Sequence, residues 1–375
     1  MSSLESQEFG IKLFKLLSNG ENTVFSPFSL STALSMVLMG IRSTTSYELS
    51  KSLFGKTVEE NGLEPLAKLL NQTIDNCIKN NSKAMSCANF MYSDSKFEVL
   101  SQFKQLIEKY FSANIKELDF ENQKQLSLDV INDDIKSATN GKINKLLEDI
   151  DDNTVVILAN ALYFKGLWKS QFAKENTKTD VFTNQSKQKI SVEMMFQSKK
   201  HPFGYCQQLR AKAVELNYEN TNAVMIILLP DEDYSLPQMR DNLSIQSLNQ
   251  LIKSLHSVTV DLSLPKFKIE STFDLIPSLK SIGINRVFTK SADFSGLSQQ
   301  KGLYVSQIIQ KAIIEVNEEG TEAAAATAVG ISLMCLPITE EFVANRPFMY
   351  FLLTKKEDQT IDSILFMGEC NDPNV

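Results

Sequence analysis

Histidine and cysteine side chains are the first places to look for chemistry in this 375-residue chain. Its two histidines, His201 and His256, stand in no sequence motif of a serine or cysteine nucleophile. The chain also contains no Walker motif, no dinucleotide-binding glycine fingerprint and no zinc-ligand spacing. We therefore predict a protein that is not an enzyme, holds no metal ion and uses no cofactor.

The cysteines are odd in number and follow no spacing typical of a metal site. We predict free thiols in a chain that does not rely on disulfides, and we favour this over a bridge between Cys77 and Cys87. The full set is Cys77, Cys87, Cys206, Cys335 and Cys370.

The charge and hydropathy of the chain limit which partners it can bind and in which compartment it can be expected. Asp and Glu outnumber Lys and Arg by 45 to 38, and the net charge of −7 argues against nucleic acid as a partner. No apolar run is long enough to span a bilayer, so we expect no membrane partner. The N-terminus has neither a basic start nor an apolar signal core. The sequence therefore predicts a protein that is cytoplasmic or secreted without a cleaved signal peptide, or extracellular if a signal has been removed.

The segment with the most unusual composition is Glu-Glu-Gly-Thr-Glu-Ala-Ala-Ala-Ala-Thr-Ala, residues 318–328. Its alanines favour a helix by propensity, but a helix here would have no large apolar face to bury. Small residues also suit a strand that must slide between two strands that are already packed. If the segment is a strand, alternate residues share one face, and the side chains on that face are small at first and larger further on. These residues are Thr321, Ala323, Ala325, Thr327, Val329 and Ile331. We interpret the segment as a loop that can become a strand.

Residues 318–328 closely resemble the proximal hinge of inhibitory members of the serpin (serine protease inhibitor) family. The resemblance extends over nearly the whole chain, through the blocks 22–36, 139–143 and 154–168 and the closing segments after residue 342. The distance from the loop to Asn345-Arg346-Pro347 is similar to that in the ovalbumin-like (intracellular, clade B-like) branch.

The resemblance implies an α+β protein with the serpin fold, which has three β-sheets with a large central sheet A, eight to nine helices and an exposed reactive-centre loop. The loop is expected at about residues 318–341 and its hinge at 318–328. No repeat or linker interrupts the chain, so residues 1–375 are predicted to form a single domain. The hinge residues are Glu318, Glu319, Gly320, Thr321, Glu322, Ala323, Ala324, Ala325, Ala326 and Thr327.

Polar residues inside apolar segments are the next candidates. The near-continuous apolar run 154–168 predicts a buried central strand, in which Asn160 needs hydrogen-bond partners. Ser26, followed by a proline, predicts a helix cap, and on that interpretation Ser26 and Ser29 are only cap and filler residues. The resemblance instead places Ser26, Ser29 and Asn160 at the shutter, where sheet A opens. It places Trp168 in the breach, where the hinge first inserts, although a single Trp is also typical of a core.

Two positions depart from the family pattern. Gln310, which we expect to open the strand before the hinge, stands where the family commonly has a shutter histidine. Glutamine also donates and accepts hydrogen bonds, but it does not titrate near neutral pH. Asp134 stands where the family normally has a tryptophan on a helix that packs on the sheet, so that packing is expected to differ.

The activity that the resemblance implies is suicide inhibition of a serine protease, through an acyl-enzyme that is trapped when the hinge inserts. Counting from Gly320 by the family's spacing places the scissile bond at Met334–Cys335, with Leu333 and Leu336 as alternatives. An unbranched apolar Met334 suits a hydrophobic specificity pocket. We therefore expect covalent complexes with elastase-, chymotrypsin- or cathepsin-G-like proteases.

Two other functions stay open at this point. A non-inhibitory serpin that acts as a carrier or chaperone usually has bulky, charged or proline residues in the hinge, and this hinge is mostly small. A cross-class inhibitor of cysteine proteases is the second alternative, because both protease classes form acyl-enzymes. Heparin is not an expected partner, since the second of the two helices predicted over 43–80 offers Lys68 and Lys79 and little other positive charge. The protein is expected to be a monomer.

Overall fold

The computed structural model describes residues 4–82, 84–319 and 339–375. Nine α-helices lie in these ranges, which agrees with the expected number. They are α1 (Leu4–Leu17), α2 (Pro27–Gly40), α3 (Ser43–Phe54), α4 (Glu60–Asn81), α5 (Ser101–Phe111), α6 (Lys124–Ala138), α7 (Leu236–Asn242), α8 (Ile245–Ser254) and α9 (Ile276–Ser281).

Fourteen strands form two hydrogen-bonded networks in the same ranges. They are β1 (Thr23–Phe25), β2 (Met85–Asp94), β3 (Asn114–Leu118), β4 (Val156–Phe164), β5 (Lys178–Thr183), β6 (Lys189–Cys206), β7 (Ala211–Asn217), β8 (Ala223–Pro230), β9 (His256–Pro265), β10 (Phe267–Asp274), β11 (Val305–Val316), β12 (Thr339–Val343), β13 (Phe348–Lys355) and β14 (Ile361–Cys370).

Sheet A is the five-stranded network, with the order β10-β11-β4-β2-β3. Its centre is β4, in which all nine residues are buried, as expected for a strand covered on both faces. β4 runs antiparallel to β2 and parallel to β11. The apolar run 154–168 therefore forms a central strand as predicted, and β11 is its neighbour towards the hinge.

The second network has nine strands, in the order β1-β14-β13-β8-β7-β6-β9-β12, with β5 also paired to β6. The 18-residue β6 divides it, because this strand pairs with β9 over Met194–Phe203 and with β7 over Phe203–Cys206. One group contains β5, β9 and β12, and the other contains β7, β8, β13, β14 and β1. Counted with sheet A, these two groups give the three predicted sheets.

Helix α2 lies beneath sheet A and packs against β2, β4 and β14. It begins as the sequence predicts, with the Ser26 hydroxyl accepting a hydrogen bond from Ser29 N and with Pro27 in the first turn. Twelve of its 14 residues are buried, so it is a core helix rather than an amphipathic surface helix.

Helix α6 covers the opposite face of sheet A. Its apolar side chains and alternate residues of β4 belong to one cluster, which includes Leu128, Ile131, Ile135, Ile157, Ala159 and Ala161. Asp134 adds a polar attachment, because its carboxylate accepts from the Tyr92 hydroxyl at 3.0 Å and from Lys116 Nζ at 2.7 Å. The expected difference in the packing of this helix is therefore a pair of charge-assisted contacts to β2 and β3.

The residues at the two ends of the predicted loop, 318–319 and 339–341, are among the described residues. Glu318 is only 7% exposed, and Thr339–Val343 form β12, paired in parallel with β9. Residues 339–341 thus belong to a strand at the end of the predicted loop, whose bounds stay a prediction. In the described residues, no helix has the length and apolar character that a membrane crossing requires.

Candidate functional site

The parallel pair of β4 and β11 lies within sheet A, and β11 ends just before residues 318–328. The register runs from Val305 opposite Val156 to Ile314 opposite Phe164. At its middle, Gln310 lies opposite Asn160, and both side chains are fully buried. Gln310 therefore does not open its strand as expected but stands at its centre, because β11 begins five residues earlier, at Val305.

The side-chain amides of Gln310 and Asn160 are hydrogen-bonded to each other, and that of Gln310 is also bonded to the backbone of Ser26. Gln310 Nε2 donates to Asn160 Oδ1 at 2.7 Å and to Ser26 O at 3.0 Å. Gln310 Oε1 accepts from Ser26 N at 2.8 Å. Every polar atom of the glutamine side chain is thus paired, as a fully buried amide requires. Unlike the histidine expected from the resemblance, this amide does not titrate near neutral pH.

Asn160 extends the network to the other side of β4. Its Nδ2 donates to Ser29 Oγ and to Asn89 Oδ1. Ser29 Oγ in turn donates to Asn89 Oδ1 at 3.1 Å, and Asn89 Nδ2 contacts Cys87 Sγ at 3.5 Å. The cluster, which we call the amide network, therefore joins α2, β2, β4 and β11 through Ser26, Ser29, Cys87, Asn89, Asn160 and Gln310.

Two of these residues, Cys87 and Asn89, were not predicted from the sequence to belong to the network. Cys87 and Asn89 lie in β2, and the only signal was that Asn89 interrupts an otherwise apolar stretch that ends at Tyr92. Burial raises the pKa of the Cys87 thiol to about 11, so this thiol stays neutral and is a hydrogen-bonding group rather than a nucleophile.

The two serines contribute different atoms to these contacts. The Ser26 hydroxyl is a helix cap and donates to Leu365 O at 2.6 Å, while only the Ser26 backbone binds Gln310. The Ser29 hydroxyl is not filler, because it binds Asn160 and Asn89.

Removal of the central amide is expected to weaken the closed sheet. Asn160→Ala leaves donors or acceptors of Gln310, Ser29 and Asn89 buried without their partner, which should cost about 3 kcal/mol of unfolding free energy. The midpoint of urea unfolding should fall accordingly. Asn176→Ala is the matched control, because Asn176 is exposed, and its midpoint should not change. Equal midpoints for the two variants would contradict a stabilising role for the network.

The start of the hinge is held at one end of sheet A by Trp168. The indole Nε1 donates to Asn317 O at 2.8 Å, directly before the hinge. The ring is 2% exposed and stacks on Tyr218, with ring centroids 4.3 Å apart. Trp168 is therefore a core residue and also the residue that fixes the chain where it leaves β11.

Three carboxylates anchor the same stretch. Glu315 pairs with Lys165 and accepts from the Tyr163 hydroxyl, and Glu319 pairs with Lys174. Glu318 accepts from Thr177 Oγ1 at 2.8 Å and lies 3.5 Å from Lys266 Nζ. Its backbone oxygen accepts from Phe172 N at 3.1 Å. The first two hinge residues are therefore bound to the body of the protein.

These contacts lower the pKa of the Glu318 carboxyl. Burial raises the pKa, but hydrogen bonds from its own backbone and from Thr177, together with Lys266, more than offset that effect and leave it below the ordinary value. The pKa of Glu315 is lowered in the same way, with the contacts to Lys165 outweighing burial. Both carboxylates thus contribute more to the folded state when they are ionised.

The stability contribution of Glu318 is expected to disappear in acid. Because its folded-state pKa is depressed, the contribution is full above the ordinary value of 4.5 and is lost as the pH falls through the folded-state pKa. At pH 7, Glu318→Gln should lower the thermal midpoint by about 2 °C, and the difference from the wild type should shrink as the pH falls below 4.5. Glu175→Gln, at an exposed position, is the control. A difference that grows in acid would contradict this assignment.

The remaining predicted site residues lie outside the described residues. These are Gly320 to Thr327 of the hinge and the residues around the proposed scissile bond, Leu333, Met334, Cys335 and Leu336. The other four cysteines are free thiols, so no Cys77–Cys87 bridge is formed. His256 is exposed and His201 is buried.

The described residues thus form a sheet whose parallel pair, β4 and β11, is bridged by an amide network, and β11 is followed in the sequence by a run of small residues. The sequence model described as Serpin (serine protease inhibitor) matches residues 4–373. The chain belongs to the serpin family, which confirms the predicted family and fold.

Relatives of known sequence and structure give the same result. The chain is 36% identical to the human leukocyte elastase inhibitor over 384 residues, with 99% of each chain covered. It is 35% identical to human Serpin B4, with 95% of each covered, which agrees with the ovalbumin-like branch. The crystal structure of human thyroxine-binding globulin complexed with thyroxine superposes with a TM-score of 0.87 at 26% identity and covers 99% of this chain and 98% of that one.

Proposed function

We propose that this protein is a suicide inhibitor of elastase- and chymotrypsin-like serine proteases. The observation that carries the proposal is the parallel pairing of β4 and β11 directly before the hinge. A segment that leaves β11 and turns back runs antiparallel to β11, and therefore also antiparallel to β4. Insertion exchanges one parallel ladder for two antiparallel ladders, which pair slightly better per residue. β11 also pairs with β10, but that ladder is already antiparallel, so only the pairing with β4 would gain by such an exchange.

The inserting segment is long enough for the purpose. Fourteen residues separate Gly320 from Met334, which corresponds to roughly 46 Å of extended strand. The partner strand β4 has nine residues, so the segment would run along its full length. A protease bound as an acyl-enzyme at Met334 would therefore be carried from one end of sheet A to the other before its ester bond is hydrolysed.

The proposed targets follow from Met334 and from the relatives. A methionine side chain fits a hydrophobic specificity pocket and offers no charge to an acidic one. Relatives 35–36% identical to this chain are named leukocyte elastase inhibitors. We take residues 1–375 as one monomeric domain that forms a covalent complex with its target and itself catalyses no reaction. Among the described residues, His201 Nε2 has no hydrogen-bond partner and His256 Nδ1 contacts only the backbone oxygen of Ser254, so neither is seen paired with a serine hydroxyl or a cysteine thiol.

The carrier alternative is represented by the thyroxine-binding globulin structure, so likeness of fold does not separate carriers from inhibitors. The hinge composition does, because Thr321 to Ala328 are small apart from Glu322. Such residues can enter a packed sheet at little steric cost. Inhibition of cysteine proteases is the remaining alternative, and it needs its own assay.

The test is to mix the protein with neutrophil elastase, chymotrypsin, trypsin and a papain-like protease, followed by denaturing gels and intact-mass analysis. We expect a complex that survives boiling with the first two and a released C-terminal peptide that begins at Cys335. Cleavage without a complex would make the protein a substrate and contradict the proposal. A stable complex with only the papain-like protease would establish the cross-class alternative.

A further inference from the structure

Asparagine followed by glycine is the pair of residues most prone to deamidation, a spontaneous change of the asparagine side chain. The backbone nitrogen of the glycine attacks the side-chain carbonyl carbon of the asparagine, and glycine has no side chain to hinder the approach. The chain contains three such pairs, Asn19-Gly20, Asn61-Gly62 and Asn140-Gly141. All three asparagines are exposed, so access to solvent does not distinguish them.

The three glycine nitrogens differ in their hydrogen bonds. Gly62 N donates to Glu59 O at 2.9 Å in the first turn of α4, and Gly141 N donates to Lys136 O at 2.8 Å just after α6. No described residue accepts a hydrogen bond from Gly20 N. Because a nitrogen that must first give up a hydrogen bond reacts more slowly, Gly20 N is the one of the three that is free to attack.

The Asn19 side chain is held in place for this attack. Its Oδ1 accepts from Glu21 N at 3.1 Å, and its Nδ2 donates to Glu21 Oε2 at 3.2 Å. The ring that the first bond closes contains both Asn19 Cγ and Gly20 N, so the two reacting atoms stay within one turn. The Glu21 N–H also stabilises the negative charge that develops on Asn19 Oδ1 during the attack.

We propose that Asn19 is a site of spontaneous deamidation in the folded protein and that the fold protects Asn61 and Asn140 from it. Gly20 N loses its proton to water or hydroxide and forms a bond to Asn19 Cγ. The Cγ–Nδ2 bond then breaks, and the nitrogen takes up a proton from water and leaves as ammonia. A water molecule adds to either carbonyl of the five-membered imide and opens it to aspartate or isoaspartate. The net reaction consumes one water and releases one ammonia.

The product would change the turn that holds the C-terminal residues. Asn22 Oδ1 accepts from the backbone nitrogens of Asn371 and Asp372 at 2.7 and 3.0 Å. Glu21 O accepts from Asn371 Nδ2 at 2.8 Å. Isoaspartate adds one atom to the backbone at position 19, and either product places a second carboxylate beside that of Glu21. Deamidation should therefore weaken the hold of this turn on Asn371.

The experiment is to incubate the intact protein at pH 8 and to follow all three sites by peptide mapping with mass spectrometry. A parallel sample is kept unfolded in guanidinium chloride at the same pH. In the folded protein, Asn19 should deamidate at least about tenfold faster than the other two, the rate equivalent of about 1.4 kcal/mol for the hydrogen bond that their glycines must break. In the unfolded chain, the three rates should agree within about threefold, because the hydrogen bonds that distinguish them are lost.

The proposal is overturned if Asn61 or Asn140 deamidates as fast as Asn19 in the folded protein. It is also overturned if the preference for Asn19 persists in guanidinium chloride, since the fold would then have no part in it. The consequence is tested with Asn19→Gln, because a longer side chain closes the imide ring poorly. Incubation should speed hydrogen exchange at the Asn371 amide in the wild type and leave it unchanged in Asn19→Gln. Equal changes in the two proteins would contradict a weakened hold on the C-terminus.

Discussion

Ala323→Arg is expected to convert the proposed inhibitor into a substrate that the protease cleaves and leaves. In an inserted strand, residues alternate between the two faces of sheet A. Glu322 is charged and belongs on the face where Glu315 and Lys311 reach solvent. Ala323 then faces the opposite side, where Phe164 and Ile314 are fully buried. An arginine there would bring an unpaired charge into the core.

The size of this effect follows from the competition between insertion and deacylation. A buried, unpaired charge costs about 3–5 kcal/mol, so insertion would slow by roughly a hundredfold or more. We expect the fraction of protease trapped as a covalent complex to fall below about a tenth, while the rate of loop cleavage stays the same. The measurement is the inhibition stoichiometry together with the gel pattern.

The matched control is Ala324→Arg, one residue further on and on the other face. It adds the same side chain to the same segment but leaves it near the half-exposed Glu315. Most of the inhibition should survive. Equal losses in the two variants would show that insertion does not follow the alternation, and unchanged inhibition in both would contradict the insertion mechanism itself.

The sequence located the apolar elements well because their signals are local. The run that became β4 was recognised from continuous hydrophobicity, and the start of α2 from Ser26 and Pro27. Both depend on residues that are neighbours along the chain. The hinge after Glu319 was likewise predicted from a local signal, the run of small residues in its sequence.

The polar contacts were less predictable because they depend on distant residues. Asn160 clearly needed partners, but Asn89 lies 71 positions away and its side chain is identified only once β2 pairs with β4. Gln310 was expected at the start of its strand, since the polar Ser306 and Gln307 before it conceal the strand's true beginning at Val305. The burial of Glu318 was missed for the same reason, because its partners Thr177 and Lys266 come from other parts of the chain.

Met334→Arg is expected to redirect the inhibitor from hydrophobic-pocket proteases to trypsin. The residue before the scissile bond enters the main specificity pocket, which is acidic in trypsin and apolar in chymotrypsin. An arginine without a counter-charge in an apolar pocket costs about 3–5 kcal/mol, so the inhibition rate constant for chymotrypsin should fall by roughly 10²–10⁴. The rate constant for trypsin should rise by a similar factor, since the guanidinium gains a partner that methionine could not use.

The position at which arginine produces trypsin inhibition also identifies the scissile bond. Leu333→Arg carries the same side chain one residue earlier, and it should leave trypsin inhibition weak if Met334 occupies the pocket. If Leu333→Arg produces the stronger trypsin inhibitor, the scissile bond is Leu333–Met334, and the released peptide should begin at Met334 instead of Cys335. Failure of both variants to gain trypsin inhibition, with their folding and their hinge intact, would mean that neither residue occupies the specificity pocket. The loop would then present a different residue to its target, although insertion between β4 and β11 would be unaffected, because that step depends on the hinge and not on the residue at the bond.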